Sequence, residues 1–191
     1  MTTSSSALSA SGTTWAGPPR VGPLRLTAVN ASVRFVARFL RAMRIRGSFE
    51  RLEGELVYEE RQPSAGSLVA RVDVASIRTG NRLRDAHLRS AAWFDARRHP
   101  HIGLRSTGFE HSDGGLRIRA VVTVRGREAP VDVECSAPPQ GAAATELMGR
   151  LTLLRSPYGV GPPPHGVARW DPRAYLVDDA VSVELRLRLD P

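Results

Sequence analysis

The chain has 191 residues, 41% hydrophobic and only 6% aromatic, a length suited to one domain with one core. No run approaches the ~18 consecutive apolar residues of a membrane-spanning helix. All 27 basic residues are arginine, against 19 acidic ones, for a net charge of +8; they are spread along the chain rather than gathered with aromatics, which argues against nucleic-acid binding and leaves peripheral contact with an anionic membrane open.

Met1 to about Pro23 is rich in Ser, Thr, Gly and Pro and has little apolar surface to offset the cost of ordering, so a flexible tail is expected over 1–23 and a single domain over 24–191. No basic segment leads into an apolar run near the start, so no secretory signal is read and a cytoplasmic location is expected. A strand is predicted over Leu24 to Val29. In the next, Val33, Phe35, Ala37 and Phe39 alternate with Arg34 and Arg38, the period-two pattern of a half-buried strand. Met43 to Glu59 is extended. Leu68, Ala70, Val72 and Val74 then alternate with Val69, Arg71, Asp73 and Ala75. Thr79 to Pro100 breaks the rhythm; Asn81 suits a helix N-cap, and a short helical cap follows with Leu83, Ala86, His87 and Ser90 on one side.

Strands resume over Ile102 to Glu110 and over Leu116, Ile118, Ala120, Val122 and Val124, interleaved with Arg117, Arg119 and Arg125. Further strands are predicted at Val131 to Cys135 and Thr145 to Leu154. Ser156 to Arg173 is too rich in Pro and Gly for a strand and is expected to be a long loop at a barrel mouth. Val181, Val183, Leu185, Leu187 and Leu189 close the chain, alternating with Ser182, Glu184, Arg186 and Arg188. Short connections such as His111–Gly115 and Arg125–Pro130 argue for antiparallel hairpins. The fold class is therefore all-β, an antiparallel barrel of eight or nine strands with a short helical cap. Its apolar face points inward and Arg and Glu outward, the reverse of an outer-membrane barrel. On the pattern alone, a ligand cavity and a packed core fit equally well.

Arg84, Asp85 and His87 are the one close set of ionisable residues with types suited to acid–base work. At i, i+1 and i+3 on a helix they cannot share a direction. A structural role for them, contact with a lipid head group and catalysis are the alternatives. His99, His101, Asp95 and His111 do not have a metal-site spacing. Cys135 shares parity with Val131 and Val133 and reads as a small buried hydrophobe; being alone, it forms no internal disulfide. No Gly-rich phosphate loop opens a helix, and Phe35, Phe39, Phe49, Trp93 and Phe94 fit a core or a ligand wall equally.

Six segments, in order, resemble the YceI-like, polyisoprenoid-binding family: SVRFVARF (Ser32–Phe39), RGSFERLEGEL (Arg46–Leu56), SIRTGNRLRDAHLRSAAWFDARRHPHIGLRST (Ser76–Thr107), VTVRGREAPV (Val122–Val131), LTLLRSPYGV (Leu151–Val160) and VDDAVSVELRL (Val177–Leu187). The most specific part is the Thr-Gly spacer, then Arg-Asp-x-His-Leu, Trp-Phe-Asp and His-Pro. Arg38 stands where many relatives have His. The resemblance implies an eight-stranded lipocalin-like barrel whose channel takes the chain of a polyprenyl phosphate or isoprenoid quinone, with binding rather than turnover and neither cofactor nor metal. It points to Phe35, Phe39, Phe49, Val72, Val74, Leu104, Ile118, Val122, Val183 and Leu185 as channel wall, and to Arg84 and His87 as the polar end. The rival readings are a solid barrel whose Arg-rich exterior docks on a partner or on an anionic membrane, and a lipid-modifying enzyme, which would need polar inward residues converging on the mouth. The sequence gives no oligomeric state.

Overall fold

Alternating side chains produce β-strands nearly wherever the pattern predicts them. The computed structural model describes residues 20–40, 42–59, 62, 65–112, 115–136, 146–161 and 177–188. The strands are β1 (Arg20–Thr27), β2 (Ala31–Phe39), β3 (Met43–Phe49), β4 (Leu52–Glu59), β5 (Ser67–Asp73), β6 (Ile77–Arg78), β7 (His101–Ser112), β8 (Gly115–Val124), β9 (Arg127–Ser136), β10 (Glu146–Leu154) and β11 (Val177–Arg188), with one helix, α1 (Arg82–Arg89). Every ladder is antiparallel.

Register shows how eleven segments make an eight-walled ring. Along β1 and then β2 the partner runs from Glu59 down to Glu53 and on from Phe49 to Met43, so β1–β2 is one bent strand paired with a second bent strand, β3–β4. The β5–β6 stretch likewise follows β4 and then β3, from Leu52↔Val72 to Phe49↔Ile77. From β5 the ladder passes through β7, β8, β9, β10 and β11, and β11 returns to β2 through pairs such as Val183↔Phe35. Closure brings the two ends of the sheet together.

Backbone and side-chain hydrogen bonds together hold the bend between β3 and β4. Arg51 N–H donates to Ser76 Oγ at 3.0 Å, while the Asp73 N–H donates to the Arg51 carbonyl at 3.0 Å. A 3-10 turn over Val74–Ser76 is capped by Asp73, whose carboxylate accepts from the Ala75 N–H at 2.7 Å. The turn takes Val74 out of the strand alternation expected for it. β8 and β9 meet in a two-residue turn, Arg125–Gly126, with φ of 51° and 71°, the left-handed pair that matches hairpin twist and favours Gly at its second place. One joint is loose: among the described residues β9 and β10 share Met148↔Ser136, Gly149↔Cys135 and Arg150↔Glu134, and diverge toward the helix end.

Outside, the arginines of the closed half pair across strands, as in Arg117–Glu134 at 2.6 Å and Arg119–Glu110 at 2.5 Å. Inside that half, Leu26, Leu56, Tyr58, Phe109, Leu116, Ile118, Val133, Cys135 and Leu147 pack into a solid plug. α1 lies at the other end.

One expectation needs correction. The proposed tail included residues 20–23, but Arg20 and Val21 already pair with Glu59 and Tyr58, because ladder bonds need no apolar side chain; residues 1–19 lie outside the described residues. The side of α1 that carries Leu83, Ala86 and His87 is the exposed one, Leu83 being 84% exposed and Asp85 2%. The long loop predicted over 156–173 is seen as turns over 156–161, and the rest lies outside the described residues, as do Thr145 and Leu189.

Candidate functional site: the lumen

Above the plug the barrel is hollow. A cavity of about 200 Å³ runs from Leu26, Ala31, Leu68 and Leu187 at its floor to Leu88, Trp93, Phe94, Tyr158 and Val160 at its roof. Small inward residues leave the space: Ala37, Ala70, Val181 and Val183 stand where the plug has leucines and aromatics. Gly47 contributes by omission. It pairs with Phe35, and a Cβ at Gly47 would collide with the Phe35 ring, so the ring lies flat against β3 rather than across the lumen. Phe35 meets Phe49 at 5.7 Å, and Phe49 meets Phe94 edge-on at 6.3 Å, which joins the wall to the roof.

Two elements hold the roof. In the first, Asn81 caps α1 by accepting from the Arg84 N–H at 3.0 Å. The buried Asp85 accepts from the Thr79 N–H at 2.9 Å and the Thr79 hydroxyl at 2.6 Å. Arg84 donates to Thr79 Oγ1 and to the Thr79 carbonyl, each at 2.7 Å. Arg84 and Asp85 thus meet through Thr79 and fix the angle at which α1 delivers Leu88. The chain then folds back, with the Phe94 N–H donating to the Leu88 carbonyl at 3.0 Å, and Trp93 and Phe94 turn over the opening.

The second element is the segment 155–161, which covers the divergence of β9 and β10. Arg125 donates to the Gly159 carbonyl and, at 3.1 Å, to that of Ala91, tying both roof pieces to one hairpin. Arg155, only 5% exposed, donates to the carbonyls of Val160 at 2.9 Å, Val177 at 3.0 Å and Asp178 at 3.2 Å. Burial lowers its proton affinity and the nearby Asp179 carboxylate partly restores it. Tyr158 and Val160 pack with Val122, Val124 and Trp93, and burial raises the Tyr158 phenol.

Of the residues singled out from sequence, Phe35, Phe49, Val72, Leu104, Val122, Val183 and Leu185 line this cavity. Ile118 does not; it is 1% exposed inside the plug. Val74 is equally buried but sits in the 3-10 turn, its N–H donating to the Pro100 carbonyl at 2.9 Å. Phe39 is half-buried at the end of β2, opposite Met43 and beyond the lining. Arg84 is engaged with Thr79, and His87 is exposed, its ring edge-on to Trp93 at 5.8 Å. Arg155 was missed. Leu147, Leu151 and Leu153 point inward on β10, and the same parity carried past the strand end puts Arg155 inside.

The lining is chemically bland. Its polar residues are Ser32 and Arg71, which hold outward positions in their strands, together with Arg155 and Tyr158. Among the described residues no cluster of His, Cys, Asp and Glu could hold a metal ion, and no helix is long and apolar enough to cross a membrane. Cys135 lies in the plug, where burial pushes its thiol up to about 12.

Comparison with known proteins gives one consistent set. The family model described as YceI-like domain matches residues 24–189. A UPF0312 protein of Vibrio cholerae is 26% identical over 137 residues, 69% of this chain and 72% of that protein. Protein YceI of Salmonella newport is 29% identical over 131 residues, 65% and 69% of the two chains. Among solved structures, Burkholderia cenocepacia BcnA superposes with a TM-score of 0.70 at 21% identity, covering 84% of this chain and 96% of that one. A polyisoprenoid binding domain from Saccharophagus degradans, implicated in plant cell wall breakdown, gives 0.57 at 14% identity over 90% and 98%. At these identities the structural matches speak for the fold.

Proposed function

The chain belongs to the YceI-like domain family, and on that premise we propose that its lumen binds the apolar chain of an isoprenoid lipid, a polyprenyl phosphate or an isoprenoid quinone, which it carries or sequesters without chemical turnover. The observation that carries this reading is a capped cavity walled almost wholly by hydrocarbon, from Val33 and Phe35 round to Val183 and Leu185. Each isoprene unit that leaves water for such a wall gains ~25 cal/mol per Å² of apolar area buried, so affinity comes from chain length and few polar contacts are required. The Saccharophagus domain's stated ligand class supports the same choice.

At about 200 Å³ the cavity is smaller than the ~300–1,000 Å³ of a typical small-molecule pocket. A long chain therefore enters as Trp93 and Phe94 swing aside, with its leading units deepest and its polar end on the α1 side, near His87 and Arg84. Phe35, Phe49, Val72, Leu104, Val122, Val183 and Leu185 form the wall it slides along.

Organic extraction of protein purified from its own host, followed by mass spectrometry, tests the reading; a near-stoichiometric isoprenoid is expected, and trace bulk membrane lipid alone would sink it. A second arm uses Val72→Trp. Val72 lines the cavity, so the indole takes ligand space: lipid content should fall while the thermal midpoint changes little. Destabilisation by ~1–3 kcal/mol with no change in loading would instead mean an overpacked solid core.

A further inference from the structure

Six large apolar side chains stand exposed among the described residues, and four of them, Leu40 (55%), Met43 (58%), Leu83 (84%) and Leu154 (50%), lie at the mouth end. Three sit on one side of the rim, within the run β10, β11, β2 and β3. Leu40 is in the β2–β3 turn, Met43 opens β3 opposite Phe39, and Leu154 ends β10 beside Ala180 of β11, the strand that pairs with β2. Leu83 is on α1, which follows β6, the partner of β3. Leu40 is also held at a φ of 53°, a left-handed position that Gly or Asn fills at lower cost. An exposed leucine there is a poor choice for the folded chain in water.

Charge at this end follows the same geography. Arg38 and Arg44 face each other across the turn, Arg46 lies next along β3, Arg82 adjoins Leu83, and Arg97 is in the turn after α1. None of these five is in an ion pair among the described residues. Among the described residues the acidic groups nearby are mostly engaged: Asp85 by Thr79, Asp95 by Arg98, Asp179 by Ser156, Glu50 by Arg78 and Glu128 by Thr123, and Asp178 is in no ion pair. At the closed end Arg117, Arg119 and Arg186 all have carboxylate partners.

We propose that the mouth rim docks on the surface of a bilayer rich in anionic lipid. The four apolar side chains enter the headgroup layer and the arginines meet lipid phosphates, so that the lumen opens onto the membrane. Separate apolar tips ringed by cations fit this occupant. A protein interface would call for a contiguous apolar core, and a nucleic acid for exposed aromatics rather than leucines. The surface is independent of the lumen's cargo.

The full chain is sedimented with phosphatidylcholine vesicles and with vesicles containing phosphatidylglycerol, at low salt and at about 0.5 M salt. Binding is expected only to the anionic vesicles and is expected to weaken with salt. At about 1 kcal/mol for each arginine near an anionic surface, Arg44→Gln with Arg82→Gln should weaken it roughly 30-fold. Leu40→Ser with Met43→Ser should abolish what persists at high salt, and Arg119→Gln with Arg186→Gln at the closed end should change it little. Thermal unfolding checks that each variant is folded. Equal binding to both vesicle types, equal losses from the two arginine pairs, or binding to RNA in place of vesicles would overturn the proposal. Lipid content is read separately: a loaded protein that ignores vesicles overturns docking alone, and an empty one that binds them overturns only the cargo reading.

Discussion

At the closed end of the barrel Tyr58 stacks on Phe109 at 5.7 Å, and Leu26, Leu56, Leu116 and Ile118 are each 1% exposed. Halfway up the same ring, inward positions hold Ala70, Leu104, Val183 and Leu185, all only partly buried although they face the interior. The same walls enclose both regions, so smaller inward side chains such as Ala37, Ala70 and Val183, together with the parting of β9 from β10, make one a plug and the other a chamber. The stability of this fold should therefore reside mostly in one half, leaving the other free to exchange packing for a guest.

That division can be tested at several points. The largest effect should be chemical. With its thiol at about 12 rather than 9.0, Cys135 in the folded protein has on the order of a thousandfold less thiolate than in the unfolded chain. Iodoacetamide should label it slowly near pH 8 and rapidly in denaturant; fast labelling of the folded protein would mean that the plug opens. The same shift makes the folded state hold its proton more tightly. Its stabilising contribution is present below pH 9 and is lost as pH rises from there toward 12. Next, Leu116→Ala in the plug should cost ~2–5 kcal/mol, whereas Leu104→Ala, already beside a void, should cost about 1–2. Urea unfolding of the two variants compares the halves directly, and equal losses would break the contrast. Smaller again, Arg155→Met keeps the apolar stem but leaves three carbonyls without that donor, a loss of ~1–3 kcal/mol. Hydrogen exchange at Gly159 and Val160 should rise while the plug amides stay protected.

Much of this was legible in the chain. Alternation gave the strands, their inward faces and the helical interruption, and Asn81 announced the start of α1. Alternation tells in from out, however, and says nothing of height along the axis. Ile118 and Val122 share a face of β8, yet one is plug and the other cavity wall, because height is set by the pairing of β8 with β7 and β9. Val74 escaped because Asp73 caps a turn just where the pattern promised more strand. Which side of α1 turns inward was not legible, because the buried side chain is a carboxylate, Asp85, satisfied by Thr79 six residues earlier. A hydrophobic pattern cannot show a polar group that folds inward with its own partner.

The loose joint between β9 and β10 bears on whether the protein stays monomeric in a crowded solution. Past their three shared pairs each strand offers bare backbone, the kind of edge onto which another chain adds a strand. Pro130 lies in that stretch of β9, opposite Val121 of β8. Paired positions in an antiparallel ladder alternate between bonded and non-bonded. Counted from the closing pair Val124↔Arg127, Pro130 falls on a non-bonded one, so the N–H it lacks would have faced the gap rather than β8. The exposed Asp132 follows two residues on. A missing donor and a charge together make this gap a poor template for cross-chain sheet growth, so the barrel can keep a seam loose without inviting fibres.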